Sequence, residues 1–206
     1  MAERDGVARR GRQLQYLTIA WNSGEFVVAV VAGVLAGSVA LVGFGFDSAI
    51  EVGASAAALW RLRHDADEAL RETAERRALR LIGACFLALA VYILYEAVEM
   101  LLERQAPERS ITGMVLAALS LGVMPLLARA KRRVAAHLAS GALEAETRQT
   151  EICAWLSAIL LAGLGLNAAL GWWWADPVAG IAMTPLIARE GWGAIRAAPA
   201  AQRRPL

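Results

Sequence analysis

The chain has 206 residues, of which 58% are hydrophobic and 19% are charged. Its mean hydropathy of +0.46 lies far above that of an ordinary soluble domain, whereas the net charge of +2 indicates no particular partner. The sequence has no phosphate-binding Walker loop, zinc-protease motif or nucleophile elbow, so we expect neither an ATPase nor another enzyme. The composition therefore predicts an integral membrane protein.

Six segments are long and apolar enough to cross a bilayer, because a transmembrane helix needs about 20 mostly apolar residues. We predict an all-α bundle of six transmembrane helices at about 16–37, 38–62, 78–102, 111–130, 151–170 and 174–195. They form one domain over 16–195, between a polar leader at 1–15 and a tail at 196–206. The leader lacks the pattern of a removable signal peptide. The tail is too short to fold alone, so we expect no cytoplasmic C-terminal domain.

Basic residues mark alternate loops of this predicted bundle. They precede the first helix, join the second to the third, follow the fourth, where Lys131 lies, and follow the sixth. The opposite loops contain only Arg104 and Arg109. The positive-inside rule then places both termini in the cytoplasm, in the plasma membrane if the source is a bacterium. Because the basic residues do not form one patch, we expect no nucleic-acid partner.

Three acidic residues fall deep inside predicted spans. Glu25 lies roughly 14 Å into the first helix, and Asp47 lies at a similar depth in the second, which runs the opposite way. Glu51 shares a helix face with Asp47. A charged group at the middle of a membrane costs about 2.5–3.5 kcal/mol, and the sequence places no lysine or arginine at matching depth. We therefore expect a bound cation or a shared proton between these carboxylates.

Other polar residues are less specific. Gln149 and Cys153 share one face at the start of the fifth helix. Asn22 and Asn167 are deep amides, for which hydrogen bonding between helices is as good an interpretation as a binding role. The two cysteines, Cys85 and Cys153, fall within or at the edge of predicted spans and imply no disulfide framework.

The sequence resembles the cation diffusion facilitator, or cation efflux, family of divalent-metal transporters in its small form without a cytoplasmic C-terminal domain. FDSAIEVGAS is similar to that family's second helix, in which two aspartates four residues apart bind the metal. By this resemblance Asp47 is the first ligand, and Glu51 stands in place of the second. The family's His-x-x-x-Asp pattern in the fifth helix falls on Gln149 and Cys153. GWWWADPVAGI resembles the opening of the sixth helix.

The resemblance implies a transported divalent metal, metal–proton antiport in the efflux direction, a homodimer and no prosthetic group. The implied metal ligands are Asp47, Glu51, Gln149 and Cys153. Glu25 and Asn22 lie outside the family's set of four and are candidates for an extra ligand or for proton coupling. Carboxylates alone would suit magnesium or manganese, and a thiolate shifts the preference toward zinc. Two alternatives stay open: a non-transporting sensor or scaffold that binds metal, and a structural bundle whose protonated acids share hydrogen bonds.

Overall fold

The computed structural model describes residues 2–63, 68–138 and 141–200. Within these ranges the chain forms helices and turns and no strand, so the predicted all-α class is confirmed. The helices, in chain order, are α1 (Ala2–Ala36), α2 (Val39–Arg63), α3 (Glu68–Glu103), α4 (Ile111–Leu138), α5 (Gly141–Leu170) and α6 (Ala175–Ala200).

Several helices extend beyond the apolar segments that the sequence marks. The residues of the predicted leader from Ala2 onward form the first turns of α1, and α3 and α5 begin about ten residues before their predicted spans. Alanine, arginine and glutamate are strong helix formers, so each helix continues where its hydropathy falls. The predicted tail lies partly in α6, and its residues 201–206 lie outside the described part of the chain.

Membrane-crossing length and composition are clear for five of the described helices, α1 to α5. The helix α6 does not meet the same criterion, because three prolines, three glycines and several charged residues lower its hydropathy. It is nevertheless continuous and packs closely on α3 and also on α5 and α2. The six predicted helices are therefore present in the described part of the chain, and α6 is the least hydrophobic of them by this criterion. The prediction that both termini are cytoplasmic stays a prediction.

The helix α2 lies at the centre of the bundle. It packs against α1, α3, α5 and α6, while α4 packs mainly against α5 and α1. The predicted neighbours α1 with α2, and α5 with α6, are in contact. Four helices, α2, α3, α5 and α6, each contribute a fully buried side chain to the main core. These side chains are Phe44, Ile93, Leu156 and Met183. The side chains of Asp47, Ser48, Glu51 and Ser55 in α2 are buried among the neighbouring helices, which keeps them away from the surrounding lipid.

Two glycines permit a close contact between α3 and α6. A Cβ atom placed on Gly83 would lie 2.6 Å from the carbonyl oxygen of Gly191, and one placed on Gly191 would lie 2.8 Å from that of Gly83. Only residues without a side chain allow the two backbones to approach this far.

The turns at one end of the bundle fix the position of α2. Gly37 has a positive φ of 64°, which ends α1 tightly. The Ser38 hydroxyl donates to Asp176 Oδ1 at 2.5 Å and accepts from the Leu41 backbone N–H at 3.1 Å. Asp176 lies in the first turn of α6, so this buried pair joins the starts of α2 and α6.

Candidate metal site

A column of buried polar side chains runs between α1, α2, α4 and α5. Polar residues three or four positions apart share one helix face, and α1, α2 and α5 each carry such a face. Its buried members are Gln15, Thr18, Asn22 and Glu25 in α1, Asp47, Ser48, Glu51 and Ser55 in α2, Ser120 and Lys131 in α4, and Thr147, Thr150, Cys153 and Ser157 in α5. The predicted deep acids all belong to this column.

Glu25 is held by the neighbouring helix α2. The Ser48 hydroxyl donates to Glu25 Oε2 at 2.9 Å, and the side chains of Ser120 and Trp21 also lie close to the carboxylate. The other oxygen, Oε1, has no hydrogen-bond partner among the described residues, and the same holds for both amide atoms of Asn22. Buried polar groups without partners are costly, so this part of the column has spare capacity for a proton, a water molecule or a cation.

Glu51 is joined to α5 and, through it, to α4. The Thr150 hydroxyl donates to Glu51 Oε1 at 2.7 Å, and Lys131 Nζ donates to the same hydroxyl oxygen at 3.0 Å. The expectation that no basic residue lies near the carboxylates is therefore wrong. The helix α4 continues to Leu138, so Lys131 lies inside this helix rather than in the following loop.

Asp47, Glu51 and Cys153 lie together. The Cys153 thiol interacts with both carboxylates, and Asp47 and Glu51 also interact with each other. All three side chains are at most 5% exposed.

Gln149 is not brought into this group by any described contact. It is half-buried, and its amide nitrogen has no hydrogen-bond partner among the described residues. A helix turns by about 100° per residue, so Gln149 and Thr150 point in different directions. Thr150 is the one that faces Glu51. Sequence reasoning missed Thr150, although the spacing of Thr147, Thr150 and Cys153 marks a polar face.

The carboxylates are not already arranged around a common point. In the described part of the chain, no group of three or more histidine, cysteine, aspartate or glutamate side chains has the geometry to hold a metal ion. Two of the carboxylates are engaged by hydroxyl groups instead, Glu25 by Ser48 and Glu51 by Thr150. A metal ion would have to exchange such bonds for coordination.

These features define a class of protein: a multi-pass integral membrane protein with an acidic, thiol-containing cluster buried among its helices. Residues 16–199 match the model of the cation efflux transmembrane domain. The match covers most of the chain, which therefore belongs to the cation efflux family. The resemblance seen in FDSAIEVGAS and GWWWADPVAGI is thus confirmed.

One curated relative is the uncharacterized transporter sll1263 of Synechocystis sp. (strain ATCC 27184 / PCC 6803 / Kazusa). It is 27% identical over 177 residues, which are 83% of this chain and 57% of the relative. The chain thus spans little more than half the length of that relative.

Proposed function

We propose that this chain transports a divalent transition-metal cation across the membrane, with zinc as the preferred ion. One observation carries the proposal: Asp47, Glu51 and Cys153 lie together and buried inside a bundle that belongs to the cation efflux family. Cations are the substrate class that two carboxylates and a thiol bind.

The donor set supports zinc over a harder ion. Magnesium and calcium prefer oxygen ligands, whereas a thiolate favours zinc and softer metals. Asp47, Glu51 and Cys153 supply three ligands, and Gln149 completes the set if α5 rotates slightly toward α2. Glu25 and Asn22 lie on the adjacent helix α1, where they serve as a further ligand or as the proton-coupling pair.

Proton exchange follows from the chemistry of these ligands. Carboxylates and thiols bind metal in their deprotonated forms, so binding releases protons and proton uptake favours metal release. We therefore propose metal–proton antiport in the efflux direction. Access would alternate between the two sides as helices rock about the buried site, and the functional unit is a homodimer that contacts through its membrane-facing helices.

Zinc-dependent proton flux in proteoliposomes tests this proposal. The purified chain is reconstituted with a pH-sensitive dye inside, and zinc is added outside. The wild type should move protons on zinc addition, and Asp47→Asn should lower the rate at least tenfold. The control is Glu103→Gln, which removes an exposed carboxylate of α3 and should retain the flux. A wild type without zinc-dependent flux contradicts the proposal.

A second function, a non-transporting metal sensor or scaffold, is favoured by one observation. The described acidic and thiol side chains are not arranged in advance to hold a metal ion, and Gln149 stands apart from them. Such a protein would bind zinc in a titration but would show no zinc-dependent proton flux in the same vesicles.

A further inference from the structure

Lys131 differs from every basic residue around it. It is 3% exposed although it belongs to the basic run at 129–133 of α4, in which Arg129, Arg132 and Arg133 are exposed. Arg132 pairs with Glu151 on the surface of α5. A buried lysine in a membrane helix costs several kcal/mol unless its charge is balanced. The burial of Lys131 therefore needs a nearby anion.

The anion at the end of the described hydrogen-bond chain is Glu51. Lys131 Nζ donates to Thr150 Oγ1 at 3.0 Å, and the same hydroxyl donates onward to Glu51 Oε1 at 2.7 Å. All three side chains are buried. Charges interact strongly in such a low-dielectric interior, and a hydroxyl between them is polarised in the sense that strengthens both hydrogen bonds.

We propose that Lys131 is a tethered cation that balances Glu51 while no metal is bound, and that an entering metal ion displaces this interaction. The proposal rests on the proposed function, because it assumes that Glu51 binds the transported metal. Coordination through Oε1 would break its bond from Thr150, and the two positive charges of the metal would then repel the lysine. Lys131 therefore weakens metal binding.

Such weakening has a use in transport. A buried site with two carboxylates and a thiol would hold a divalent ion tightly, and a transporter must also release its ion. A tethered cation lowers the affinity without removing a ligand. It also keeps the emptied site from carrying an unbalanced negative charge while the helices rearrange.

The competing role and a purely structural role of Lys131 predict opposite changes in zinc affinity when the lysine is removed. If Lys131 only held α4 against α5, its loss would loosen the site and lower both stability and metal affinity. If Lys131 competes with the metal, its loss should lower the stability of the metal-free protein and raise its affinity for zinc.

The first experiment measures both quantities on the full chain in lipid nanodiscs. Zinc affinity is obtained by competition with a chelating dye, and Tm is measured without metal. Lys131→Met should bind zinc at least tenfold more tightly, a gain of about 1.4 kcal/mol, with a lower Tm. Lys131→Arg keeps the charge and should stay within threefold of the wild-type affinity. Arg129→Met, in the same helix but exposed, should change neither quantity. Unchanged or weaker zinc binding by folded Lys131→Met overturns the competition.

The second experiment needs no metal. Lys131→Met and Glu51→Gln are compared singly and together by their effect on Tm. If Lys131 balances Glu51, the double variant should recover at least half of the Tm lost in Lys131→Met. If the Tm loss of the double variant equals the sum of the two single losses, Lys131 and Glu51 are not paired. A wild type that binds no zinc contradicts the proposed function and the competition together, whereas this cycle still decides whether the two charges are paired.

Discussion

Thr150 and Glu51 are 99 positions apart in the chain and are joined by a buried hydrogen bond of 2.7 Å. The bond connects α5 to the central helix α2. Because the Thr150 hydroxyl also accepts from Lys131, one small side chain links three helices at the candidate site. The geometry of Glu51 therefore depends on α4 and α5 as well as on its own helix.

Removing the Thr150 hydroxyl should destabilise the protein. Thr150→Val keeps the shape of the side chain but leaves buried polar groups of Lys131 and Glu51 with one partner fewer, which costs about 1–3 kcal/mol. We expect a clearly lower Tm in detergent, whereas Thr150→Ser should stay near the wild type. Thr112→Val, at an exposed position of α4, serves as the control. Equal Tm values for Thr150→Val and the wild type would contradict this role.

The contact between α3 and α6 makes a steric prediction. Gly83→Ala would place a Cβ atom 2.6 Å from the Gly191 carbonyl oxygen, so the two helices must separate. We expect a lower Tm and a lower yield of folded protein. Gly122→Ala is the matched control, because no atom lies within 4 Å of its added Cβ and alanine favours a helix over glycine by about 1 kcal/mol. The idea fails if the two variants are equally stable.

The sequence predicted the helices and the deep acids but not all of their partners. Hydropathy identifies the membrane-embedded part of each helix, so the class and order of the elements follow from it. Lys131 follows an apolar segment and begins a basic run, which is typical of a loop at the membrane surface. The burial of Lys131 depends on how α4 packs on α5, and the local sequence pattern does not predict that packing. Thr150 belongs to a polar face with Thr147 and Cys153, but its role depends on the same packing, because Thr150 becomes significant only when Glu51 faces it.

Loss of either α2 carboxylate should weaken zinc binding. Asp47→Ala and Glu51→Ala each remove one proposed ligand, and we expect at least a tenfold loss of affinity, or about 1.4 kcal/mol. Isothermal titration of the folded variants measures it. Glu99→Ala, in α3 outside the polar column, is the control and should bind as the wild type does. Wild-type affinity in both α2 variants would exclude this pair as ligands.

Glu25 should separate proton coupling from metal binding. Its Oε2 is held by Ser48, and its hydrogen-bonding neighbours are hydroxyl and indole groups. The Cys153 thiol interacts with Glu25 electrostatically, without a described hydrogen bond. We therefore expect Glu25→Gln to lower zinc-driven proton flux at least tenfold while changing the zinc Kd by less than threefold. Flux and titration are measured on the same preparation. A tenfold weaker Kd would instead make Glu25 a metal ligand.

Zinc should protect the Cys153 thiol. Cys153 lies beside Asp47 and Glu51, and a thiolate that coordinates zinc is less available for alkylation. The other cysteine, Cys85, is exposed, so the measurement uses a Cys85→Ala background. We expect saturating zinc to slow maleimide labelling of Cys153 at least fivefold.

The protection should depend on Glu51, because a site that has lost one carboxylate holds zinc too weakly to shield the thiol. Glu51→Ala should therefore label at the same rate with and without zinc at a concentration that protects the Cys85→Ala chain. Magnesium at the same concentration is the control ion and should give no protection, since it rarely takes a sulfur ligand. If zinc does not slow the labelling of the Cys85→Ala chain, Cys153 is not a zinc ligand. Glu25 would then be the better candidate for the third ligand.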